Sequence, residues 1–298
     1  MSNKKYTTVL TIAGSDPSGG AGIQADLKTF AALGCYGMSV ITALTAQNTQ
    51  EVTGVYPIPP KFIAQQLETI FADIKVDAIK IGMLHDVDVI EEVANSISNL
   101  SIPIVLDPVM VAKSGHALLK DTAIKSLQKN LFPIATLITP NIPEAELLLE
   151  QEIKTHNDME HAAQALCKNG LKAVLLKGGH LANETSADCL YIKATNNIHW
   201  LSSKRIKTKN THGTGCTLSS AIASNLALGY NLLDAVSHAK DYLSQAILAG
   251  SEYKLGKGHG PVSGGHVPSC NIQGNVARWD VTPLPRWDSG WIHLLSYF

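Results

Sequence analysis

From Thr7 onward the chain alternates short apolar runs with stretches of helical periodicity, and that order constrains the fold more than any other feature. Extended runs are predicted at Thr7–Ala13, Met38–Ala46, Val52–Tyr56, Asp77–Ile81, Ile102–Leu106, Thr136–Thr139 and Ala173–Leu176. Between them lie helical patterns. One carries Ile23, Leu27, Phe30 and Leu33 and stops at Gly34; another is opened by Pro59-Pro60 and turns Ile63, Leu67, Ile70 and Phe71 to the core. Val87–Ile97 and Asn157–Asn169 are helical, the second stopped by Gly170. Lys113-Ser114-Gly115-His116 reads as a mobile loop. Asp188–Lys193 and Asn197–Arg205 read as a hairpin, followed by helices over Gly215–Leu228 and Leu232–Ala249 that end at Gly229 and Gly250. The alternation predicts an α/β fold, a mainly parallel central sheet with helices on both faces, because continuously apolar strands such as Ile102–Leu106 need cover on each side. No linker or repeat interrupts residues 7–262, so residues 1–262 are expected to form a single domain.

The strongest chemical signal is Lys207 to Ser220, a basic, hydroxyl-rich approach into Gly213-Thr214-Gly215 and a new helix beginning near Cys216. Glycines let several backbone N–H groups face one point, and a helix N-terminus adds unpaired N–H groups and positive potential, so the stretch reads as an anion cradle. Cys216 at that positive end is expected to shift toward thiolate. The plainer reading is a turn capped by Thr214 with Cys216 as a small buried residue.

Other strand ends add candidates. The loop Gly14-Ser15-Asp16-Pro17-Ser18-Gly19-Gly20-Ala21-Gly22 follows a strand and precedes a helix, yet Asp16 stands where a dinucleotide fingerprint needs glycine and Gly20 where a Walker motif needs lysine. It reads as a turn that lets a ligand approach backbone. Gln47 ends a buried strand, where open α/β sheets bind ligands, although a lone Gln there can be plain surface. Asp107 could hold Mg²⁺ through water or cap a turn. Glu144, one residue after Pro143, sits at a helix start where capping is the default role. Lys177 could meet a phosphate as a point charge or simply be solvated.

Composition excludes several classes. With 24 Lys+Arg against 25 Asp+Glu the net charge is -1, which gives no footing for nucleic acid or an anionic membrane surface. Five cysteines without CxxC spacing argue against a disulfide framework and favour a reducing, cytoplasmic setting. The eleven histidines show no HExxH spacing, so a dedicated zinc site is not expected; His156 and His161 read as helix-surface residues. The run Val9–Ala13 is too short for a signal or membrane segment.

Six blocks in order then carry a family resemblance. Ile12 to Asp26, Ala46-Gln47-Asn48-Thr49, Lys80-Ile81-Gly82-Met83-Leu84, Asp107-Pro108-Val109-Met110, Lys177-Gly178-Gly179-His180 and Thr211 to Cys216 resemble the bacterial hydroxymethylpyrimidine/phosphomethylpyrimidine kinases of thiamine biosynthesis, in the ribokinase-like superfamily. The resemblance covers roughly residues 7–262 and implies an ATP- and Mg²⁺-dependent phosphotransferase, dimeric in habit, acting on 4-amino-5-hydroxymethyl-2-methylpyrimidine and then on its monophosphate. It implies that Gln47 hydrogen-bonds the aminopyrimidine while Gly14, Asp26, Met83 and Val109 line the pocket. Gly213, Thr214, Gly215 and Cys216 would form the anion hole, with Lys177 and Thr211 toward ATP and Asp107, Asn141 and Glu144 toward hydrated Mg²⁺. Pyridoxine/pyridoxal kinases share the glycine loop and the Cys-containing cradle and are the alternative; Gln47 favours the aminopyrimidine. A non-catalytic pyrimidine sensor is disfavoured by Cys216, Lys177, Asp107 and Glu144 together.

The resemblance ends with Gly258-His259-Gly260-Pro261-Val262. Residues 263–298 form an atypical C-terminal extension with no Lys or Glu and with Trp279, Trp287 and Trp291, and the sequence assigns it no function.

Overall fold

Alternate side chains of the central strands enter two different cores, and the helices divide between them accordingly. The structure, a computed structural model, describes residues 4–110, 121–168, 170–179 and 185–265. The expected loop Lys113–His116, Asn169, His180, Cys270 and residues 266–298 of the extension lie outside the described residues. The chain runs β1 (Thr8–Ser15), α1 (Gly22–Ala32), β2 (Tyr36–Gln47), β3 (Val52–Pro57), α2 (Pro60–Asp73), β4 (Ala78–Ile81), α3 (Val87–Ile97), β5 (Ile104–Leu106), α4 (Asp121–Asn130), β6 (Leu137–Ile138), α5 (Ile142–Leu149), α6 (His156–Lys168), β7 (Ala173–Leu176), β8 (Thr185–Ile192), β9 (Asn197–Lys204), α7 (Thr214–Ala227) and α8 (Leu232–Gly250).

The described strands form one sheet in the order β3-β2-β1-β4-β5-β6-β7-β8-β9. Pairs from β2 through β1, β4, β5 and β6 to β7 are parallel; β3 on β2 and the β8–β9 hairpin are antiparallel. This is the expected mainly parallel α/β sheet. Leu10, Ile12, Ile79, Ile81, Ile104 and Leu106 point to the core under α2 to α6, while Val9, Ala78, Val105, Leu137 and Leu175 point to the core under α1, α7 and α8. The chain leaves β1 toward β2, then returns across it to β4. Strand order reverses there, which opens a crevice at the C-terminal strand ends.

One helix was not expected. Asp121–Asn130 buries three apolar residues, Ala123, Ile124 and Leu127, beside the polar Ser126, too sparse an apolar pattern to announce itself among polar residues. The glycine stops at Gly34, Gly170 and Gly229 all adopt positive φ, as a left-handed helix end requires. At the far end, Ser263 N–H donates to the Ala246 carbonyl and Tyr242 donates to the Gly264 carbonyl. The first residues of the expected extension thus pack on α8.

The middle of the sheet holds one charge. Lys80 shares the side of β4 that carries Ala78, has no exposed surface, and places Nζ 2.9 and 2.8 Å from the two Asp26 carboxylate oxygens. Thr11 Oγ1 donates to Asp26 at 2.6 Å and Ser220 Oγ at 2.7 Å, so one carboxylate joins β1, β4, α1 and α7. Removing one partner of a buried pair strands the other, whereas an apolar pair of similar volume does not. Lys80→Met is expected to lower urea stability by about 3–5 kcal/mol, with Lys80→Met/Asp26→Leu recovering most of it. A double variant less stable than the single one contradicts that account.

Candidate active site

Two glycine loops lie backbone to backbone above this pair. Gly213 has φ 80°, and a Cβ there would sit 1.8 Å from the Gly20 carbonyl oxygen; Gly22 has φ 56°, and its Cβ would sit 2.3 Å from that of Gly14. Only glycine permits both the conformation and the approach. Gly213, not Thr214, is the N-cap of α7, which corrects the expected Thr214 cap: the left-handed residue itself turns the chain into the helix. The N-termini of α1 and α7 consequently face the same space.

Asp16 builds the first loop. Its carboxylate accepts from the Ser18, Gly20 and Ala21 amides at 2.9, 3.2 and 2.8 Å and from Ser18 Oγ at 2.7 Å. It also pairs with His212 Nε2 at 2.9 Å, which ties the first loop to the second. Burial opposes its ionisation, but His212, Ser18 and the loop amides outweigh that and hold the carboxyl below its ordinary range. Gln47, the last residue of β2, receives the Thr45 hydroxyl at 3.3 Å and brings Nε2 to 3.4 Å from His212.

Cys216 occupies the first turn of α7, half-buried, with the Gly22 N–H donating to its sulfur. The expected drift toward thiolate is not what the surroundings give. Burial pushes the thiol up to about 11; Lys80 pulls it down, and Asp26 and Asp107 push it up again. A helix N-terminus does not overcome desolvation with two carboxylates nearby. At neutral pH Cys216 is a thiol.

On the other flank, Lys177, directly after β7, places Nζ 2.9 Å from Asp107 Oδ1, which also accepts from Thr139 Oγ1 at 3.0 Å. Burial disfavours the Asp107 charge, yet Lys177 and Lys80 hold its carboxyl below the usual range. A Cβ on Gly215 would lie 3.3 Å from Asp107 Oδ2 and 3.5 Å from Lys177 Nζ, so this glycine leaves room over the pair. Asn141 and Glu144 form a capping box at the start of α5, each side chain accepting from the other's amide at 2.8 Å. The default capping role is thus realised. Burial raises the Glu144 carboxyl to about 7, Lys177 opposing the rise and Asp107 adding to it. Asp107 crowds Glu144 enough to raise its proton affinity, a pairing that suits a cation between the two, and the donors are all oxygen, as Mg²⁺ prefers. No group of three His, Cys, Asp or Glu able to cage a metal occurs among the described residues, so an ion here would keep much of its water.

Between these flanks lies one cavity of about 970 Å³. It brings together Gly14, Gln47, Met83, Asp107, Val109, Asn141, Glu144, Lys177, Thr211, Gly213, Thr214, Gly215 and Cys216. Asp26 is the exception and a correction: it is fully buried beneath the cavity, its oxygens taken by Lys80, Thr11 and Ser220. Gly14 packs against Met83, whose methyl lies 2.6 Å from where a Cβ would stand. Sequence reasoning missed Asp16, His212 and Lys80 as parts of the site, as well as Asp188, which accepts from the Gly178 amide and pairs with Lys240 at 2.6 Å. Lys80 alone carried a visible signal, a lysine between Ile79 and Ile81 in an apolar strand.

The family model for phosphomethylpyrimidine kinase matches residues 16–263. The hydroxymethylpyrimidine/phosphomethylpyrimidine kinase of Escherichia coli K12 is 49% identical over 265 residues, 88% of this chain and 99% of that protein. Among solved structures, the phosphomethylpyrimidine kinase of Clostridium difficile 630 superposes with TM-score 0.71 at 47% identity, covering 80% of this chain and 99% of that one. The pyridoxal kinase of Staphylococcus aureus in complex with AMP-PCP and pyridoxal superposes with TM-score 0.79 at 35% identity, covering 88% and 94%.

The Glu144 carboxyl supplies a test of the electrostatics. Its folded value of about 7 lies above the ordinary 4.5, so folding takes up a proton between the two and stability falls as pH rises through that window. Glu144→Gln keeps the capping box and removes this loss. In metal-free buffer its urea midpoint should equal the wild type's near pH ~4 and exceed it above pH ~7. A difference that does not change with pH contradicts the assignment.

Proposed function

The chain belongs to the phosphomethylpyrimidine kinase family, and on that premise we propose that it transfers the γ-phosphate of ATP to the hydroxymethyl group of 4-amino-5-hydroxymethyl-2-methylpyrimidine and then to the resulting monophosphate. The observation that carries the reading is the single cavity with the Gly213–Cys216 cradle at its centre, Gln47 on one flank and Lys177 with Asp107 on the other. An acceptor held by Gln47 and a triphosphate held by Lys177 would meet over the α7 N-terminus.

Each side chain then has a task. Gln47 can donate to and accept from an aminopyrimidine edge, with Gly14, Met83 and Val109 enclosing the ring. The amides at the start of α7 receive the transferred phosphoryl group. Phosphoryl transfer through a loose transition state asks mainly for alignment and charge stabilisation, so a neutral Cys216 thiol beside the acceptor hydroxyl suffices. Lys177 exchanges Asp107 for phosphate oxygens as nucleotide enters, and Thr211 faces the same chain of phosphates. Asp107, Asn141 and Glu144 would hold hydrated Mg²⁺, which supplies charge neutralisation on the nucleotide.

The second reading, a pyridoxal kinase, is favoured by the close superposition on the Staphylococcus aureus enzyme. We further propose a homodimer, supported by the exposed cross-strand pair Leu44 and Tyr56 on β2 and β3 and by the exposed Phe62 of α2. A cytosolic location is supported by free Cys35, Cys167, Cys189 and Cys216. Among the described residues no helix is long and apolar enough to cross a membrane. The kinase domain is taken to need none of residues 266–298.

Steady-state kinetics test the reading. With ATP and Mg²⁺, turnover is expected on both hydroxymethylpyrimidine and its monophosphate, and on pyridoxine at most weakly; turnover on pyridoxine alone would transfer the assignment to the vitamin B6 enzymes. Cys216→Ala should lower kcat by about 10²-fold with the pyrimidine KM nearly kept, an idea sunk by unchanged kcat. Gln47→Ala, which removes about one hydrogen bond's worth of binding, should raise the pyrimidine KM by about tenfold. An unaltered KM removes Gln47 from the pocket.

A further inference from the structure

A lysine in the interior of a parallel sheet needs a reason beyond packing, because a buried ion pair is seldom more stabilising than well-packed apolar side chains. Lys80 supplies one by its position. Although it has no exposed surface, it forms part of the cavity floor, and a Cβ on Gly82 would stand 2.8 Å from its Nζ, so the chain leaves the ammonium room on that side. Asp26 grips it from below, and Ser220, one turn along α7 from Cys216, grips Asp26. The charge is therefore fixed in register with the first turn of α7. Four charged groups act on Cys216 or on that charge: Lys80 from β4, Asp26 from α1, Asp107 after β5 and Lys177 after β7, with the Gly22 N–H on the sulfur itself.

Resting on the kinase reading of this cavity, we propose that Lys80 is a positioning residue for phosphoryl transfer: its ammonium, locked by Asp26 beneath α7, stabilises the negative charge that a phosphoryl group brings to the anion cradle beside the neutral Cys216 thiol. Lys80 makes no claim on substrate. It acts through the orientation of α7 and through its field at the cradle, which the Cys216 thiol reports, and Asp26 sets where it acts. The electrostatics agree in sign: of the groups around the thiol, Lys80 favours its ionised form while Asp26 and Asp107 oppose it.

The test follows alkylation of Cys216 by iodoacetamide against pH, with the site read by mass spectrometry, beside steady-state kinetics on the full chain. In Lys80→Met/Asp26→Leu, which leaves neither charge stranded, the alkylation profile should move up, because Lys80's pull on the thiol exceeds Asp26's opposing push. Its kcat should fall at least tenfold with both KM values within threefold. Asp26→Asn keeps the cation and removes its anion, so its alkylation profile should move down instead. Lys80→Arg should stay close to the wild type. Opposite shifts in the first two variants are not produced by loosened packing alone. A folded double variant with wild-type alkylation and kcat overturns the proposal; if the double variant does not fold, an unmoved profile in Asp26→Asn does. Were the wild-type chain to turn over no acceptor at all, the kinase reading would fail, while the alkylation profiles would still decide whether Lys80 sets the charge at Cys216.

Discussion

The contact of one glycine loop's backbone on another is what the site depends on. With a hypothetical Cβ of Gly213 only 1.8 Å from the Gly20 carbonyl, no other residue fits without moving a loop. That approach aims the N-termini of α1 and α7 at one volume, and two helix ends together give more oriented N–H groups than either alone. The Asp16–His212 pair closes the contact from above, and the Asp26–Lys80–Ser220 cluster closes it from below. A conformational device at two glycines thereby becomes an electrostatic one.

Charges around the cavity alternate in sign from the core outward. Asp26 faces Lys80, Lys80 acts on Cys216 and Asp107, and Asp107 faces Lys177, which in turn acts on Glu144. In this series each buried carboxylate, Asp26, Asp107 and Glu144, is partly compensated by an ammonium, so the cavity can hold a highly charged donor without itself being strongly charged. Glu144 is the least compensated member, and its carboxyl is the one driven up to about 7. The acceptor flank is different in kind. Gln47, Gly14, Met83 and Val109 offer one amide and an apolar surface, which is the chemistry of a neutral heteroaromatic ring rather than a phosphate.

Much of this was legible in the chain because apolar periodicity and glycine stops are local signals. Val87–Ile97 and Ala173–Leu176 coincide in sequence and structure, and the strand ends deliver Gln47, Asp107 and Lys177 to one side as the α/β order requires. What escaped was non-local. Asp26 meets Lys80 across 54 positions and His212 meets Asp16 across 196, distances over which a sequence carries no pairing rule. The Cys216 thiol was misjudged for the same reason, since the carboxylates that oppose its ionisation arrive from separate segments. The sparse apolar face of α4 and the left-handed cap at Gly213 were local but lacked a distinctive residue pattern.

The central claim is that the two loops make one anion site at which the acceptor's phosphate is received. Backbone amide resonances report it directly. Titrating the isotopically labelled protein with the pyrimidine monophosphate should shift the Gly22, Thr214, Gly215 and Cys216 amides together, while the unphosphorylated pyrimidine should move the Gln47 side-chain amide and leave those four nearly in place. Saturation of the monophosphate site with those four amides unmoved would contradict the account.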